Sequence, residues 1–463
     1  MRPSDLTVAD AAAAIAARRL SPVELTESVL ERLEATQPRL NAYVTVTADA
    51  ARAAAARAER ELLAGRHRGP LHGIPYALKD NIDTAGIRTT ASSRQWADRV
   101  PTRDATLAAR LTAAGAVLVG KTHTHEFAYG LTTPQTGNPW HPDRVAGGSS
   151  GGSAVAVATG SALFALGTDT AGSVRVPAAL NGVVGLKPTY GLLSCHGIAP
   201  LAWSLDHPGP ITRTAHDAAL VLDALTGQDP HDPATHTPPP PADITRPHDL
   251  RGLRVGIPRT YFFDRITPDV DKAVRTTIDH LTALGARTVE IDTPLADHLL
   301  PTLWGLMAPE AAAAHEHHLR HTPDLYGDDV RTLLEAGRLL PAVDHLVAQR
   351  ARTLINRTWR HLFSHVDVLA TPTVPLTATP RTQSDVHWPD STTETVTNAY
   401  LRLTAPANLT GQPALTLPIA LDPTGLPIGL QLIAPHHHEP TLFHLATTLQ
   451  QAVPTLRPPQ PLA

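Results

Sequence analysis

Residues 147–191 combine a high glycine content with an almost complete lack of charge. These 45 residues hold ten of the 30 glycines of the chain and only three charged side chains. A flexible linker of glycine and serine would be polar throughout, whereas this stretch contains the apolar runs AVAVA and ALFALG. We therefore predict a tightly packed interior in which backbone segments approach closely, with a helix at about 152–160 followed by a strand at 162–168.

Segments typical of helices and of strands alternate along the rest of the chain. Ser21-Pro22-Val23-Glu24 has the pattern of a capping box with proline in the first turn, and an amphipathic helical run follows it. The run GAVLVG predicts a short buried strand, and residues 302–363 have a mostly helical pattern. This alternation predicts a fold of the α/β class.

The expected domain organisation is simple. We predict a single domain over residues 1–463, with a helical N-terminal segment at about 1–65. Residues 228–249 are rich in proline and of low complexity, which predicts a surface excursion in irregular or polyproline conformation.

Bulk composition excludes several classes of protein. The net charge of −4 offers no basic excess for nucleic-acid binding. The single cysteine, Cys195, excludes an internal disulfide framework and favours a reducing compartment. The N-terminus lacks the apolar core of a signal peptide, and no stretch of 18 residues is continuously apolar. We therefore expect a cytoplasmic protein without a membrane span and without direct contact to nucleic acid.

Lysine is rare among the basic residues of this chain. Only four of the 39 basic residues are lysine, namely Lys79, Lys121, Lys187 and Lys272. Lysine loses its proton when it is buried, whereas arginine effectively does not. A lysine retained against this background is therefore a candidate for acid–base chemistry.

Two glycine motifs match nucleotide-binding or hydrolase patterns but lack the required context. Residues 115–122 match the phosphate-loop pattern GxxxxGK[ST], yet the intervening AVLV favours a strand over a loop that surrounds phosphate. Residues 148–152 match the nucleophile elbow G-x-S-x-G, which needs a strand directly before it. The preceding GNPWHPDRV is broken by prolines, which disfavours such a strand.

A metal site is the third alternative. His123 and His125 follow a predicted strand as an H-x-H pair, a spacing found in zinc hydrolases. Such a site needs further ligands at other strand ends, and with 25 histidines in the chain a chance pair is expected. We therefore expect no metal and no other cofactor.

Three segments carry a specific resemblance: GIPYALKDNI at 73–82, AGGSSGGS at 146–153 and LGTDTAGSVRVPA at 166–178. Together with GNPWHPDRV, GVVGLKPTYG, SLDHPGPITRT and GLPIGLQLI, they make the chain similar to the amidase signature family, serine hydrolases with a Ser–cisSer–Lys triad. The resemblance covers most of the chain. It implies a large mixed, mostly parallel twisted β-sheet that is covered by helices on both faces, and it implies hydrolysis of amides without a cofactor.

The resemblance also implies roles for individual residues. Lys79 matches the catalytic lysine, Ser149 the serine that follows a cis peptide bond, and Ser173 the nucleophile. The backbone N–H groups of Thr170, Ala171, Gly172 and Ser173 match the oxyanion hole. The family usually has glycine where this chain has Ala171.

The implied chemistry is consistent with the residue types. A neutral, buried Lys79 can accept a proton through Ser149 from Ser173, which then attacks the amide carbonyl. Ser149 returns the proton to the departing nitrogen, and water hydrolyses the acyl-enzyme. Ser150 and Ser153 are predicted to have packing or local hydrogen-bonding roles.

Two functions remain open at this point. One is a stand-alone amidase acting on a small carboxamide; the alternative is the glutaminase subunit of a tRNA-dependent amidotransferase. The glutamine-binding arginine motif and the acid before Asn408 that the latter uses are both missing here, which favours the stand-alone enzyme. A homodimer is compatible with the sequence. Candidate substrate-lining residues are Phe127, Ala128, Tyr129, Trp304 and Met307.

Overall fold

The computed structural model describes residues 2–237, 249–452 and 456–457, in which the chain forms thirteen strands and fourteen α-helices. The strands are β1 Tyr43–Val46, β2 Pro75–Lys79, β3 Val117–Thr122, β4 Phe164–Asp169, β5 Val184–Lys187, β6 His207–Thr212, β7 Arg254–Pro258, β8 Arg287–Ile291, β9 Val368–Pro372, β10 Asp385–His387, β11 Thr393–Thr395, β12 Ala414–Leu421 and β13 Pro427–Ile433. The helices are α1 Val8–Ala16, α2 Pro22–Leu40, α3 Ala48–Leu63, α4 Thr106–Ala113, α5 Gly151–Thr159, α6 Arg175–Asn181, α7 Ala215–Leu225, α8 Pro268–Ala283, α9 Ala296–His321, α10 Asp328–Arg338, α11 Ala342–Leu362, α12 Val396–Arg402, α13 Ala405–Thr410 and α14 Glu439–Ala452.

Eleven of these strands form one mixed sheet in the order β1-β3-β2-β4-β6-β5-β12-β13-β9-β7-β8, while β10 and β11 pair separately. The predicted α/β class and the large mixed sheet are confirmed. The expectation that parallel pairing dominates is wrong. Only β2 with β3 and β4, and β7 with β8 and β9, pair in parallel; the other six pairings in the large sheet are antiparallel. The four central strands β6, β5, β12 and β13 each run antiparallel to both of their neighbours.

The capping pattern at Ser21 produces the helix that it predicts. The Ser21 hydroxyl accepts hydrogen bonds from the backbone N–H groups of Val23 and Glu24, and Pro22 occupies the first turn of α2. Leu25, Val29 and Leu33 lie on one face of α2 and are buried in the core. An N-cap of this kind contributes about 1 kcal/mol to the stability of a helix.

The glycine-rich, uncharged segment forms the buried centre of the molecule, as predicted. It contributes α5, β4, α6 and β5, and every residue of both strands is buried. At Gly152 a Cβ atom would overlap the backbone carbonyl oxygen of Ala42 and the backbone of His123. Gly152 therefore permits the close approach of α5 to its neighbours, which no other residue would allow.

The apparent phosphate-loop motif is a strand. Val117–Thr122 is β3, hydrogen-bonded between β1 and β2, so its N–H groups belong to the sheet. No helix within the described residues has the length and apolar character that crossing a bilayer requires.

The proline-rich segment predicted at 228–249 lies partly outside the described residues, which end at 237 and resume at 249. The described part packs against the domain. The Asp229 carboxylate accepts hydrogen bonds from the hydroxyls of Ser194 (2.6 Å) and Thr106 (2.5 Å), and the N–H of His236 donates to the carbonyl of Gly191 (3.2 Å). Residues 229–236 are therefore anchored to the body of the domain.

Candidate active site

Lys79 is the last residue of β2, and its side chain is fully buried. Its Nζ lies 2.6 Å from Ser149 Oγ, 2.7 Å from Thr168 Oγ1 and 3.4 Å from the Thr168 carbonyl oxygen. Burial lowers the pKa of Lys79 from 10.5 to about 7, against the opposing attraction of Asp169 and Asp206. A substantial fraction of Lys79 is therefore neutral near pH 7 and able to accept a proton.

Ser149 lies in the loop that precedes α5, and the peptide bond between Gly148 and Ser149 is cis. Its carbonyl oxygen accepts hydrogen bonds from the backbone N–H of His125 (3.1 Å) and the hydroxyl of Thr133 (3.2 Å). These contacts fix the backbone of Ser149 from one side while its hydroxyl contacts Lys79.

Ser173 lies between β4 and α6, next to the same loop. Its carbonyl oxygen accepts a hydrogen bond of 3.1 Å from the N–H of Ser150, which follows Ser149 directly. No residue in the described part of the chain forms a hydrogen bond with the Ser173 hydroxyl, although the residue is buried. The structure thus brings Ser173 beside the Ser149–Lys79 pair and leaves its hydroxyl without a partner among the described residues.

The loop around Ser173 is held by the carboxylate of Asp169. Asp169 accepts hydrogen bonds from the N–H groups of Gly172 (2.7 Å) and Val174 (3.1 Å) and forms an ion pair with Arg175, with 2.9 Å between Oδ1 and the guanidinium. Burial opposes ionisation of Asp169, but Arg175, Lys187 and Asn408 more than offset it, so the pKa of Asp169 lies below its usual range. The ionised carboxylate therefore shapes the loop.

The predicted oxyanion hole needs one correction. The N–H of Gly172 already donates to Asp169, so it is not available to a substrate oxygen. In the described structure, the N–H groups of Thr170, Ala171 and Ser173 have no protein acceptor. These three donors are the ones that can stabilise a developing negative charge.

A cavity of about 350 Å³ lies beside this loop. Its wall includes Thr168 in β4 and Thr170 in the loop between β4 and Ser173, together with Asn81 and Ala128. The rest of its wall is largely apolar and aromatic, including Tyr190, Ile198, Leu201, Trp203 and Pro233. This size and character are typical of a pocket for a small organic molecule.

Three of the predicted substrate-lining residues are not part of this cavity. Phe127 packs edge-on against the rings of Trp96 and His315, with centroid distances of 4.9 and 4.4 Å, and is a core residue. Tyr129 and Met307 are buried in the same apolar cluster. Of the predicted set 127–129 and 307, only Ala128 lines the cavity. Trp304, another predicted lining residue, is half-buried and packs against the same apolar cluster.

His123 and His125 point to different partners. His125 Nε2 lies 2.9 Å from a carboxylate oxygen of Asp329 near the start of α10, whereas His123 Nδ1 lies 3.1 Å from the Ser92 hydroxyl. Burial and the nearby Arg88 lower the pKa of His123 to about 4. In the described part of the chain, no group of three His, Cys, Asp or Glu side chains is arranged to hold a metal ion.

Comparison with known proteins decides the family. The family model described as Amidase matches residues 24–443. The chain belongs to the amidase family. Accordingly, the protein is an enzyme that hydrolyses amide C–N bonds, and the predicted family membership is confirmed.

This amidase has relatives of two kinds. It is 45% identical over 459 residues to an amidase of Pseudomonas putida, with 97% of this chain and 98% of that one covered. It is 41% identical over 478 residues to a glutamyl-tRNA(Gln) amidotransferase subunit from Roseiflexus sp., with 96% of each chain covered. A solved amidase structure superposes with a TM-score of 0.89 at 35% identity and covers 97% of this chain and 100% of the other. The higher identity to an amidase favours the first of the two predicted functions.

Several residues of the candidate site were not predicted from the sequence. Thr168 contacts Lys79 directly, and Asn81 donates a hydrogen bond of 3.1 Å to the Thr168 hydroxyl. Both residues lie inside the motifs that carry the family resemblance. Their position in those motifs could therefore have marked them as candidate site residues. The cavity wall formed by residues 231–234 of the proline-rich segment had no such signal, because a low-complexity composition carries no information about contacts.

Proposed function

We propose that this chain is a stand-alone serine amidase that hydrolyses a small, neutral carboxamide through an acyl-enzyme on Ser173. The observation that supports this proposal most directly is the hydrogen bond of 2.6 Å between the buried Lys79 and Ser149, beside the unpartnered hydroxyl of Ser173. A buried lysine with a pKa of about 7 is a base suited to neutral pH.

In the first half of the reaction, Ser173 Oγ attacks the amide carbonyl carbon. Its proton passes to Ser149 Oγ, and the proton of Ser149 passes to the lone pair of neutral Lys79. The carbonyl oxygen becomes an oxyanion, which accepts hydrogen bonds from the N–H groups of residues 170, 171 and 173. Each such donor is typically worth about 100- to 1,000-fold in rate.

In the second half, the C–N bond breaks and the leaving nitrogen takes a proton from Ser149, which Lys79 re-protonates. Ammonia or an amine departs, and the acyl group stays bonded to Ser173 Oγ. Water then loses a proton to the same Ser149–Lys79 pair and attacks the ester carbonyl carbon. The bond to Ser173 Oγ breaks, Ser173 Oγ takes that proton back through Ser149, and the acid product leaves and ionises to the carboxylate. The enzyme returns to its starting protonation state.

The cavity indicates the class of acyl group. Its wall is mostly apolar, and its described lining residues include neither lysine nor arginine. The Asp206 carboxylate lies in the wall and is satisfied by Thr170 Oγ1 and the N–H groups of Leu201 and Ala202. Burial raises the pKa of Asp206 to about 6, so it is mostly ionised at neutral pH. An acyl group bearing a second carboxylate would be repelled, whereas a neutral aromatic or aliphatic group fits.

The residues before Asn408 argue against the amidotransferase function. Arg402 is buried and donates to the carbonyl oxygens of Tyr261 (2.9 Å) and Arg265 (2.8 Å), so it is used structurally. Tyr400 donates to the Thr377 carbonyl and is likewise buried. Neither supplies a group for holding glutamine at the cavity.

The deciding experiment measures ammonia release by the purified single chain across a panel of amides. We expect turnover of phenylacetamide or an aliphatic carboxamide and none of malonamic acid or glutamine. Glutaminase activity that appears only with added partner subunits and tRNA would favour the amidotransferase instead. Because Trp203 lines the cavity, Trp203→Ala should lower kcat/KM for phenylacetamide about tenfold and leave acetamide unaffected.

We also propose that this activity is cytoplasmic. The single cysteine is unpaired, as expected for a protein of a reducing compartment, and the acidic net charge of −4 suits no nucleic-acid partner.

A further inference from the structure

Helix α11 and the turn before it present a stripe of exposed aliphatic side chains. The stripe comprises Leu339, Val343, Leu346, Val347 and Leu354, which are between 58% and 83% exposed. Within α11, Val343, Leu346, Val347 and Leu354 follow one another at spacings of three, one and seven residues, which places them on one helix face, while Leu339 lies in the turn between α10 and α11. Scattered exposed leucines are ordinary, but four exposed aliphatic side chains on one helix face form an apolar patch of the kind that marks an interaction site.

The opposite face of α11 is already in use. Ala348, Ile355 and Trp359 are buried against the domain. Arg352 donates hydrogen bonds to the carbonyl oxygens of Leu409 (2.9 Å) and Ser204 (2.8 Å). The helix is therefore firmly seated, and its apolar stripe cannot turn inward to bury itself.

We infer that the stripe formed by these five side chains is the interface of a homodimer, in which two copies of α11 pack antiparallel about a two-fold axis near Val347. The charges on the helix support this choice of partner. Asp344 and Arg350 are exposed, and neither takes part in an ion pair within the described residues. They lie three residues before and three residues after Val347. A two-fold axis there brings Asp344 of each copy level with Arg350 of the other.

The apolar residues obey the same symmetry. Leu346 and Val347 lie at the axis and meet their own counterparts, which is the pattern of an isologous interface. Leu354 lies opposite the turn that contains Leu339 of the second copy. A different partner would need its own matching charges, whereas a second copy of this chain supplies both the acid and the base in register.

The expected affinity is modest. A stable interface of standard size buries about 800 Å² on each partner, and one helical stripe supplies less than that by itself. We therefore expect a dimer that dissociates in the micromolar range. Since none of the five stripe residues lines the cavity, the dimer leaves the groups that react unchanged.

Sedimentation velocity of the full chain between about 1 and 100 µM tests the proposal. The wild type should shift from monomer to dimer, and Val347→Glu should stay monomeric at every concentration with unchanged amide turnover. Leu63→Glu is the matched control, because Leu63 is 64% exposed on α3 and outside the stripe; it should dimerise like the wild type. A wild type that stays monomeric at 100 µM, or a Val347→Glu variant that still dimerises, overturns the proposal.

Charge reversal and cross-linking test the antiparallel register. Asp344→Arg alone should weaken the dimer about tenfold or more, and the double variant with Arg350→Asp should restore it. A Val347→Cys variant should be cross-linked to a covalent dimer by a short bismaleimide, whereas Leu63→Cys should not. Absence of rescue by the double variant, or equal cross-linking of the two cysteine variants, contradicts the two-fold axis at Val347.

Discussion

Asp169 and Arg175 form an ion pair in which neither side chain is exposed to solvent, with 2.9 Å between Oδ1 and the guanidinium. Arg175 also donates to the Asn408 side chain (2.6 Å), the Gln431 side chain (2.6 Å) and the Thr404 carbonyl (2.8 Å). Ser173 lies between these two residues in the sequence. The hydrogen bonds of Arg175 therefore hold the Ser173 loop against the C-terminal part of the chain. The geometry of the proposed nucleophile therefore depends on residues more than 200 positions away.

Disruption of this pair should unfold the site. Asp169→Asn leaves the Arg175 charge buried without a counterion, which typically costs about 3–5 kcal/mol. We expect a loss of that size in the free energy of unfolding measured with urea, together with loss of amide turnover. Arg175→Lys should be nearly as damaging, because lysine cannot reproduce the forked hydrogen bonds. Wild-type stability in either variant would contradict the structural role assigned to the pair.

The two residues before Ser173 should respond in opposite ways to exchange of glycine and alanine. Gly172 has a φ of +133°, and a Cβ there would overlap the Thr404 hydroxyl, so Gly172→Ala should lower stability by more than about 1 kcal/mol and reduce turnover. Ala171 does not have a positive φ, so Ala171→Gly should retain activity. Thermal unfolding and kcat/KM measured on both variants check this; equal effects would count against the observed loop conformation.

Removal of the proposed nucleophile should abolish activity and leave the fold intact. The Ser173 hydroxyl has no hydrogen bond to a described residue, so Ser173→Ala removes no structural contact. We expect kcat to fall by at least about 1,000-fold, with an unchanged melting temperature. Ser153→Ala is the matched control, because that serine bonds the Thr122 hydroxyl at 2.7 Å in the same glycine-rich segment. The Ser153→Ala variant should keep wild-type amide turnover. Amide turnover by Ser173→Ala would refute the mechanism.

The pKa of Lys79 predicts the pH dependence. The base must be neutral, and its pKa is about 7. Below that value kcat/KM should therefore fall about tenfold for each pH unit, and above it kcat/KM should level off. Lys79→Met should be inactive at all pH values. A profile that is flat between pH 5 and 8 would show that Lys79 is not the base.

Lys79 should also affect stability, with a defined sign. Between the folded pKa of about 7 and the ordinary lysine pKa of 10.5, the unfolded chain binds more protons at this site than the folded one. The contribution of Lys79 therefore makes the free energy of unfolding rise with pH across that window. Urea titrations at pH 7, 8 and 9 should show a smaller rise for Lys79→Met than for the wild type.

A chelator separates the serine mechanism from metal catalysis. If the Ser173 mechanism is right, prolonged treatment with EDTA should leave kcat unchanged. Loss of activity that added zinc restores would instead support a metal site at His123 and His125. The companion variant His125→Gln removes the 2.9 Å contact between His125 Nε2 and the Asp329 carboxylate, so it should lower stability, and its remaining activity should stay insensitive to EDTA.

The sequence could nominate the proposed triad because each of its residues lies in a short local motif. Lys79, Ser149 and Ser173 each stand in a short pattern of glycine and polar residues, and the structure brings the three segments to one place. The burial of the glycine-rich segment was predictable from its missing charges alone. The parallel and antiparallel pairings were not, because strand direction depends on which distant strands become neighbours in the sheet.

The sequence by itself determined which residues are available for chemistry: a rare lysine, two serines in uncharged surroundings and glycines where backbones must approach. Only the tertiary structure decided what those residues experience. Burial lowers the pKa of Lys79, the Asp169 carboxylate accepts the N–H of Gly172 and so removes it from the proposed oxyanion hole, and the fold puts Phe127 in the core and Trp203 at the cavity. Each of these depends on desolvation or on contacts between residues far apart in the chain, and such long-range terms have no signature in a local pattern.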